Sequence, residues 1–260
     1  MKKIIFLSGL LIGLGGTIFF APHTQTSPEY DASVTKQTPA ERIASIIDSD
    51  VKIETDRLIL RKVHGSLDKE GNVLDSNGNI VFTTDNKIID GSKGSVRQDA
   101  EQIFAYASNP KMAELTAWEN HKTIDDSKKF IRKILNGYNN KTSLMLVIEN
   151  KENNQIIGSC GFREISQQEN KAEFCFAVGR KYWGKGYVTE AVKKLAQFGF
   201  DNMKLDKIEA LSFPKNTGSI KVMTNIGMKY IKTMPYEVKG KEYDIVMYSI
   251  SKQEYFAQSK

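Results

Sequence analysis

The chain is poor in cysteine. Its 260 residues include two cysteines, too few for the disulfide framework that stabilises many small secreted domains. A hairpin centred between Gln167 and Gln168 would place Cys160 and Cys175 opposite one another on neighbouring strands. A disulfide between them is geometrically demanding, and we expect two small reduced core residues instead.

The chain also lacks a run of basic residues. Its formal net charge is +6, but lysine and arginine are scattered among aspartate and glutamate. Aromatic residues do not alternate with basic ones along any stretch. This pattern is typical of a solvated surface, and we expect no nucleic-acid partner.

Neither of two common phosphate-binding glycine loops is present. Gly184 and Gly186 lie two residues apart, but Thr189 stands where a dinucleotide-binding loop needs its third glycine, and the ATP-type spacing is missing. An apolar run ends at Val178 and helical spacing follows the glycines, so the sequence predicts a strand, a glycine loop and a helix. Such a junction offers unpaired N–H groups to a phosphate. A tight turn without a ligand is the alternative.

The N-terminal segment differs from the rest of the chain. Lys2 and Lys3 precede an uncharged stretch at 4–21, which is typical of a secretory signal or a membrane anchor. We therefore predict a signal or anchor over 1–22, with possible membrane attachment through 4–21, followed over 23–50 by a linker with a short helix. The expected location is membrane-anchored or exported, with a cytoplasmic location as the alternative if the start site is misassigned.

Residues 51–256 are predicted to form one α/β domain. Strands alternate with helices and a hairpin ends the pattern, which indicates a mixed sheet. The predicted strands are 51–63, 144–148, 156–162, 172–178, 207–213, 228–233 and 243–250. The predicted helices are 100–108, 112–118, one that begins after Thr123, one from the glycine loop to about 202, and 217–225.

Three segments resemble landmarks of the GCN5-related N-acetyltransferase (GNAT) superfamily, in particular its ribosomal-protein N-terminal acetyltransferase branch. They read ETDRLILR at 54–61, YWGKGYVTEA at 182–191, and NTGSIKVM followed by IGM at 216–228. They resemble, in order, the opening strand, the acetyl-CoA loop and a downstream helical segment of that family. The resemblance implies a mixed, mostly antiparallel central sheet with a splayed strand pair, flanked by helices.

Residues 64–97 depart from the family pattern as an insert. Asp68 and Asp75 each begin a turn with a glycine three positions later, at Gly71 and Gly78, which is type I turn chemistry. We predict a β-rich insert of tight turns near the substrate entrance. A calcium loop is disfavoured because carboxylates are few and none stands at the required twelfth position.

The resemblance also implies a binding site for the co-substrate acetyl-CoA. The strand end would hold the pantetheine arm and the thioester oxygen, the glycine loop would hold the diphosphate, and Asn216 would orient an amide or merely cap a helix. Lys181 departs from the Gln or Arg usual at its position, since lysine keeps the charge without the planar fork. The implied residues are Phe176, Ala177, Val178, Lys181, Trp183, Gly184, Lys185, Gly186, Tyr187, Val188 and Asn216.

For catalysis, the resemblance implies Glu173 as the base, directly or through water, and Ser219 as the proton donor to the thiolate. Many relatives carry a tyrosine acid where this chain has Met223. Glu173 is otherwise a solvated strand residue paired with a lysine, and Ser219 is otherwise an ordinary helical residue.

The implied function is acetyl-CoA-dependent N-acetyl transfer to a primary amine, on a protein N-terminus or a small molecule, by direct attack on the thioester. Trp118, Glu119 and His121 match the substrate-side segment of the branch and would shape the amine pocket. No metal is expected. A non-catalytic acyl-CoA-binding or membrane-tethered interaction module is the alternative, because acetyl-CoA is a cytoplasmic metabolite and the N-terminal segment predicts export.

Overall fold

The computed structural model describes residues 37–89, 94–114 and 116–258. Within them the helices are α1 (Pro39–Asp48), α2 (Ser95–Ala107), α3 (Pro110–Ala113), α4 (Ile124–Asn139), α5 (Tyr187–Asp201), α6 (Thr217–Asn225) and α7 (Lys252–Ala257). The strands are β1 (Lys52–Glu54), β2 (Leu58–Arg61), β3 (Ser66–Leu67), β4 (Val73–Leu74), β5 (Ile80–Phe82), β6 (Leu144–Asn150), β7 (Gln155–Ser166), β8 (Lys171–Val178), β9 (Lys207–Ser212), β10 (Lys229–Val238) and β11 (Lys241–Ser251).

The predicted signal or anchor at 1–22 and the first half of the linker predicted over 23–50 lie outside the described residues. Among the helices described above, none is both long enough and apolar enough to cross a membrane.

The strands form two sheets. The larger sheet has the order β1-β2-β6-β7-β8-β9-β11-β10, and its neighbours run antiparallel except for the parallel pair β8 and β9. The smaller sheet contains β3, β4 and β5, all antiparallel. The predicted mixed, mostly antiparallel central sheet is confirmed.

Helices cover both faces of the larger sheet. Side chains along β7 alternate between the faces, and Ser159 lies 3.4 Å from the hydroxyl of Tyr106 on α2. On the other face Phe162 packs against α5 at Gly199, where an added Cβ would lie 2.6 Å from the phenyl ring. Glycine therefore allows α5 to approach the sheet closely. The predicted flanking helices are confirmed.

Strands β8 and β9 separate partway along their length. Their parallel ladder joins 171–174 to 207–210 and ends there within the described strands. β8 nevertheless stays paired with β7 as far as Val178. The carboxyl-terminal halves of β8 and β9 therefore part, and the predicted splayed strand pair is confirmed.

Several predictions of element boundaries were wrong. Helix α2 begins at Ser95, inside the insert predicted over 64–97, and β10 continues to Val238, beyond the predicted end at 233. Two further differences have a local cause. The strand expected over 51–63 is a hairpin, because Thr55 Oγ1 accepts the Leu58 N–H at 2.9 Å and turns the chain between β1 and β2. The helix expected over 112–118 ends at Ala113. Asn120 Nδ2 donates to the Ser108 carbonyl at 3.0 Å, which draws the chain back across the end of α2.

The expected pairing of the two cysteines was wrong by one residue. Cys175 lies opposite Gly161, and Cys160 lies opposite Phe176. The hairpin turns one residue later than expected, with Ser166 opposite Lys171, and a bulge in β7 between Arg163 and Ser166 then shifts the register by one. Residues one step apart on a strand point to opposite faces. Both cysteines are free and Cys160 is buried, which agrees with the expectation of reduced residues.

The insert forms the smaller sheet, as the sequence predicts. Asp68 Oδ1 accepts the Asn72 N–H at 2.7 Å, and Asp75 Oδ1 accepts the Asn79 N–H at 2.9 Å. Arg132 of α4 fastens the insert to the domain by donating to three oxygen atoms, those of Gly71 O, Thr83 O and Asn86 Oδ1. The insert therefore packs on α4, and residues 90–93 of it lie outside the described part.

Helix α1 is packed on the domain. Ile43 and Ile47 face the core and are 0% exposed. Thr38 and Glu41 form a capping box at its start, and Lys62 Nζ donates to the Ile47 carbonyl at 2.9 Å near its end. The short amphipathic helix is thus joined to the unit that begins at Gln37.

Candidate active site

A glycine loop joins β8 to α5. Gly184 and Gly186 have φ angles of +74° and +80°, a left-handed conformation that residues with a Cβ rarely adopt. Gly186 supplies no side-chain cap to α5, so the N–H groups of the first turn remain available to a ligand. Those groups and the helix dipole favour an anion. The loop therefore fits the diphosphate of acetyl-CoA.

Two lysine side chains lie over the ring of Tyr182 beside this loop. Lys181 Nζ and Lys185 Nζ lie 4.9 and 5.7 Å from the centre of the Tyr182 ring. Tyr182 in turn packs edge-on against Tyr187, with ring centres 6.0 Å apart. The two lysines thus bring positive charge to the loop. Cation–π contacts stabilise their ammonium groups near the Tyr182 ring.

The first hairpin fastens the loop through Arg57 and Glu190. The Glu190 carboxylate accepts hydrogen bonds from Thr55 Oγ1 at 2.6 Å, from Arg57 N–H at 3.0 Å and from Arg57 Nε at 2.7 Å. Arg57 Nη1 donates to the Lys185 carbonyl at 3.1 Å. Although burial opposes it, these hydrogen bonds lower the pKa of Glu190. The sequence predictions gave Arg57 no role, yet it stands in the 54–61 segment that resembles the family.

Backbone groups of β8 line the opening. Gly179 donates its N–H to β7 at 2.8 Å, so the alternation of an antiparallel ladder directs the N–H and C=O groups of Phe176 and Val178 away from β7 and into the opening. Ala177 pairs with β7 instead. Trp183 Nε1 donates to the Val178 carbonyl at 2.7 Å, and its side chain is 51% exposed. The strand end thus offers amides that a linear ligand can pair with.

Asn216 and Ser219 lie just beyond β9. Asn216 is the N-cap of α6, and its Oδ1 accepts the Ser219 N–H at 3.1 Å. Because β8 and β9 are parallel, the glycine loop and this cap lie at the same edge of the sheet. Met223 is 0% exposed and belongs to the core, so that position offers no proton donor.

Glu173 forms an ion pair with Arg163 on the face that α2 covers. Arg163 lies directly opposite on β7, and it donates from Nε at 2.7 Å and from Nη2 to the same oxygen, Oε1. The Glu173 side chain is 12% exposed. Burial raises the pKa of Glu173 above its ordinary value although Arg163 opposes this. The partner is an arginine and not the lysine considered from the sequence.

The loop before α4 carries the predicted substrate-side residues. His121 packs between Trp118 and Phe130, with ring centres 5.9 and 5.8 Å apart. Its Nδ1 lies 2.9 Å from Ser127 Oγ. Burial lowers the pKa of His121, which favours the neutral imidazole.

The β10–β11 hairpin meets this loop at its tip. Lys239 Nζ lies 3.2 Å from the Glu119 carboxylate, which is exposed. The structure thus gathers the glycine loop and the β8 opening at one edge of the sheet. Within the described residues no hydrogen bond joins Glu173 to Ser219 or to His121, and no group of three potential metal ligands is assembled.

Similarity in sequence agrees with this geometry. Residues 95–229, slightly more than half of the chain, match the family model of the acetyltransferase (GNAT) domain. The chain is 34% identical over 164 residues to the N-acetyltransferase p20 of Bacillus licheniformis, which covers 61% of this chain and 90% of that protein.

Two solved structures share the fold. The microcin C7 self-immunity acetyltransferase MccE, in complex with acetyl-CoA and AMP, has a TM-score of 0.56 and 20% identity, covering 76% of this chain and 93% of that chain. The ribosomal-protein-S5-alanine acetyltransferase of Vibrio fischeri has a TM-score of 0.59 and 17% identity, covering 79% and 99%. The chain therefore belongs to the GNAT acetyltransferase family and is an acetyl-CoA-dependent N-acetyltransferase.

Proposed function

We propose that this chain acetylates a primary amine, at the N-terminus of a protein or on a small molecule, by direct attack of the amine on the thioester. The observation that carries the proposal is the parted pair β8 and β9, with the glycine loop at its mouth and the half-buried carboxylate of Glu173 on β8. Acetyl-CoA supplies the acetyl group as an activated thioester.

Glu173 serves as the general base in this proposal. The amine has to lose a proton as the C–N bond forms. Arg163 occupies Oε1 of Glu173, and Oε2 accepts no hydrogen bond from the described residues, so Oε2 is free to take the proton directly or through water. Burial raises the pKa of Glu173, which brings it closer to the operating pH, as efficient base catalysis requires.

Backbone amides and Ser219 act on the other side of the reacting carbonyl. The N–H groups of Phe176 and Val178 point into the opening and stabilise the oxygen as negative charge develops on it. Ser219 lies in the first turn of α6, where the helix dipole favours a thiolate. Its hydroxyl donates a hydrogen bond to the sulfur as the C–S bond breaks and passes on a proton that solvent water replaces, while Glu173 releases the proton of the amine to solvent.

The loop before α4 and the β10–β11 hairpin border the acceptor pocket in this proposal, with Trp118, Glu119 and His121 on the loop. A neutral His121 adds no charge that would repel an ammonium group. The name of the Vibrio fischeri protein refers to a ribosomal protein, and this likeness supports a protein N-terminus as the first acceptor to test.

Thiol release by the purified full chain tests the proposal. Acetyl-CoA is supplied with a panel of N-terminal peptides and small amines, and the acetylated product is identified by mass spectrometry. We expect amine-dependent thiol release that Glu173→Gln lowers by about 100-fold or more, with coenzyme A binding unchanged. Binding of coenzyme A without thiol release across the panel would support the non-catalytic module instead.

A further inference from the structure

The glycine loop is held from outside by a residue that is remote in sequence. Three nitrogen atoms of the Arg57 guanidinium are engaged: Nε and Nη2 with the Glu190 carboxylate at 2.7 and 2.6 Å, and Nη1 with the Lys185 carbonyl at 3.1 Å. The guanidinium also stacks on the Tyr187 ring, 4.4 Å from its centre. It therefore touches the loop, the first helical residue and the first turn of α5.

The loop needs these contacts because its own residues do not fix its backbone conformation. Gly184 and Gly186 are free to adopt many backbone conformations, and ordering them costs conformational entropy. A Cβ at Gly186 would lie 3.5 Å from Arg57 Nη2, so the guanidinium lies along the loop. The α5 N–H groups bind a diphosphate only if the loop leads into the helix at this angle.

We propose that Arg57, held by Glu190, is a positioning residue that fixes the loop in the conformation that binds the diphosphate of the acetyl donor. The inference rests on the proposed function for its donor and adds the residue that shapes the donor site. A lysine at this position cannot replace Arg57, because one ammonium group lacks the planar fork that reaches the carboxylate and the carbonyl together.

The test compares donors with and without the diphosphate. Calorimetry measures the Kd of coenzyme A for the full chain and for Arg57→Ala, Arg57→Lys and Glu190→Gln. Acetyl transfer from S-acetylpantetheine, which lacks the diphosphate, is measured on the same proteins. Arg97→Ala is the matched control, because the Arg97 side chain is about as exposed as that of Arg57 and pairs with Glu101 on α2 at 3.0 Å.

We expect Arg57→Ala to raise the Kd of coenzyme A about tenfold to a hundredfold, comparable to the loss of one hydrogen bond to a charged group. Arg57→Lys should lie between Arg57→Ala and the wild type. Transfer from S-acetylpantetheine should stay at the wild-type level, and Arg97→Ala should change neither quantity. An unchanged Kd in Arg57→Ala, or an equal loss with both donors, overturns the inference.

Folding of each variant is followed by circular dichroism. If Arg57→Ala does not fold, Glu190→Gln decides, because it keeps the side-chain shape and removes the charge that holds Arg57; an unchanged Kd there overturns the inference. If the wild type binds coenzyme A but transfers acetyl from neither donor, the proposed function fails and the Kd values still decide the role of Arg57. A wild type that binds no coenzyme A overturns both.

Discussion

Burial and neighbouring charges have opposing effects on the pKa of Glu173. Burial favours its neutral form, and Arg163 favours its ionised form. The other charged groups that face it are Glu164 on β7 and Glu209 on β9, and both disfavour its ionisation. Arg163 is therefore the main group that keeps this base ionised.

Replacing Arg163 with methionine should shift the pH dependence of the reaction. The pKa of Glu173 rises when the guanidinium is lost, so the acidic limb of kcat/KM should move to higher pH. A pH profile measured with saturating acetyl-CoA checks this. Arg163→Lys should leave the acidic limb close to its wild-type pH, because lysine keeps the positive charge. A limb that stays in place while overall activity falls would assign Arg163 a structural role only.

Gly184 in the glycine loop and Gly78 in the insert allow the effect of backbone strain on stability to be measured separately from the effect on donor binding. Gly184 and Gly78 have φ angles of +74° and +82°, and a Cβ on either one would meet no atom of the described part of the chain within 4 Å. Replacement of each by alanine should lower the free energy of unfolding by about 1–2 kcal/mol. Only Gly184→Ala should also raise the KM for acetyl-CoA. Equal KM values for the two variants would contradict the placement of the diphosphate.

The sequence alone could locate the site but not Arg57 and Arg163, the residues that contact its loop and its proposed base. Gly184 and Gly186 are visible because their spacing and the helical pattern after them are local features. Arg57 is not, because its partner Glu190 is 133 residues away and only the folded hairpin joins them. Arg163 is missed for a related reason, since its contact with Glu173 depends on strand register.

Among the elements, α1 should contribute to stability through two buried isoleucines. Ile47→Ala removes side-chain volume from a position that is 0% exposed, and such a cavity costs about 2–5 kcal/mol. Urea unfolding measures the loss. Ser45→Ala, on the exposed side of the same helix, is the control and should stay within about 0.5 kcal/mol of the wild type. A small loss in Ile47→Ala would mean that α1 is not docked in solution.

Element types were predictable where a periodicity ran long enough. α5 carries such a pattern and β6 is instead a continuous apolar run, and the approximate positions of both agree with the sequence. The hairpin of β1 and β2 was missed although the buried apolar positions change phase between Ile53 and Leu58, which marks the turn at Thr55. The cysteine register was missed because neither the exact centre of the turn nor the bulge before Ser166 can be read from hydrophobic periodicity.

For the whole molecule, stability should fall as the solution becomes mildly acidic. The pKa of His121 is lowered by burial from its ordinary value of 6.5, so the folded state resists protonation more than the unfolded state does. The contribution is complete above pH 6.5 and is lost as the pH falls below it. The free energy of unfolding of His121→Asn should therefore vary less between pH 7.5 and pH 5 than that of the wild type. Parallel curves for the two proteins would contradict a half-buried, neutral imidazole.

The gap between β8 and β9 has to be hydrated in the free protein. Backbone N–H groups of Phe176 and Val178 face it without a partner among the described strands, and leaving such groups dry is costly. An entering donor displaces this water and has to replace the hydrogen bonds that the water made to these N–H groups. The amides of a pantetheine arm do so, whereas a plain alkyl thioester has none to offer. The enzyme should accordingly discriminate among carriers of the same acetyl group by their amide content.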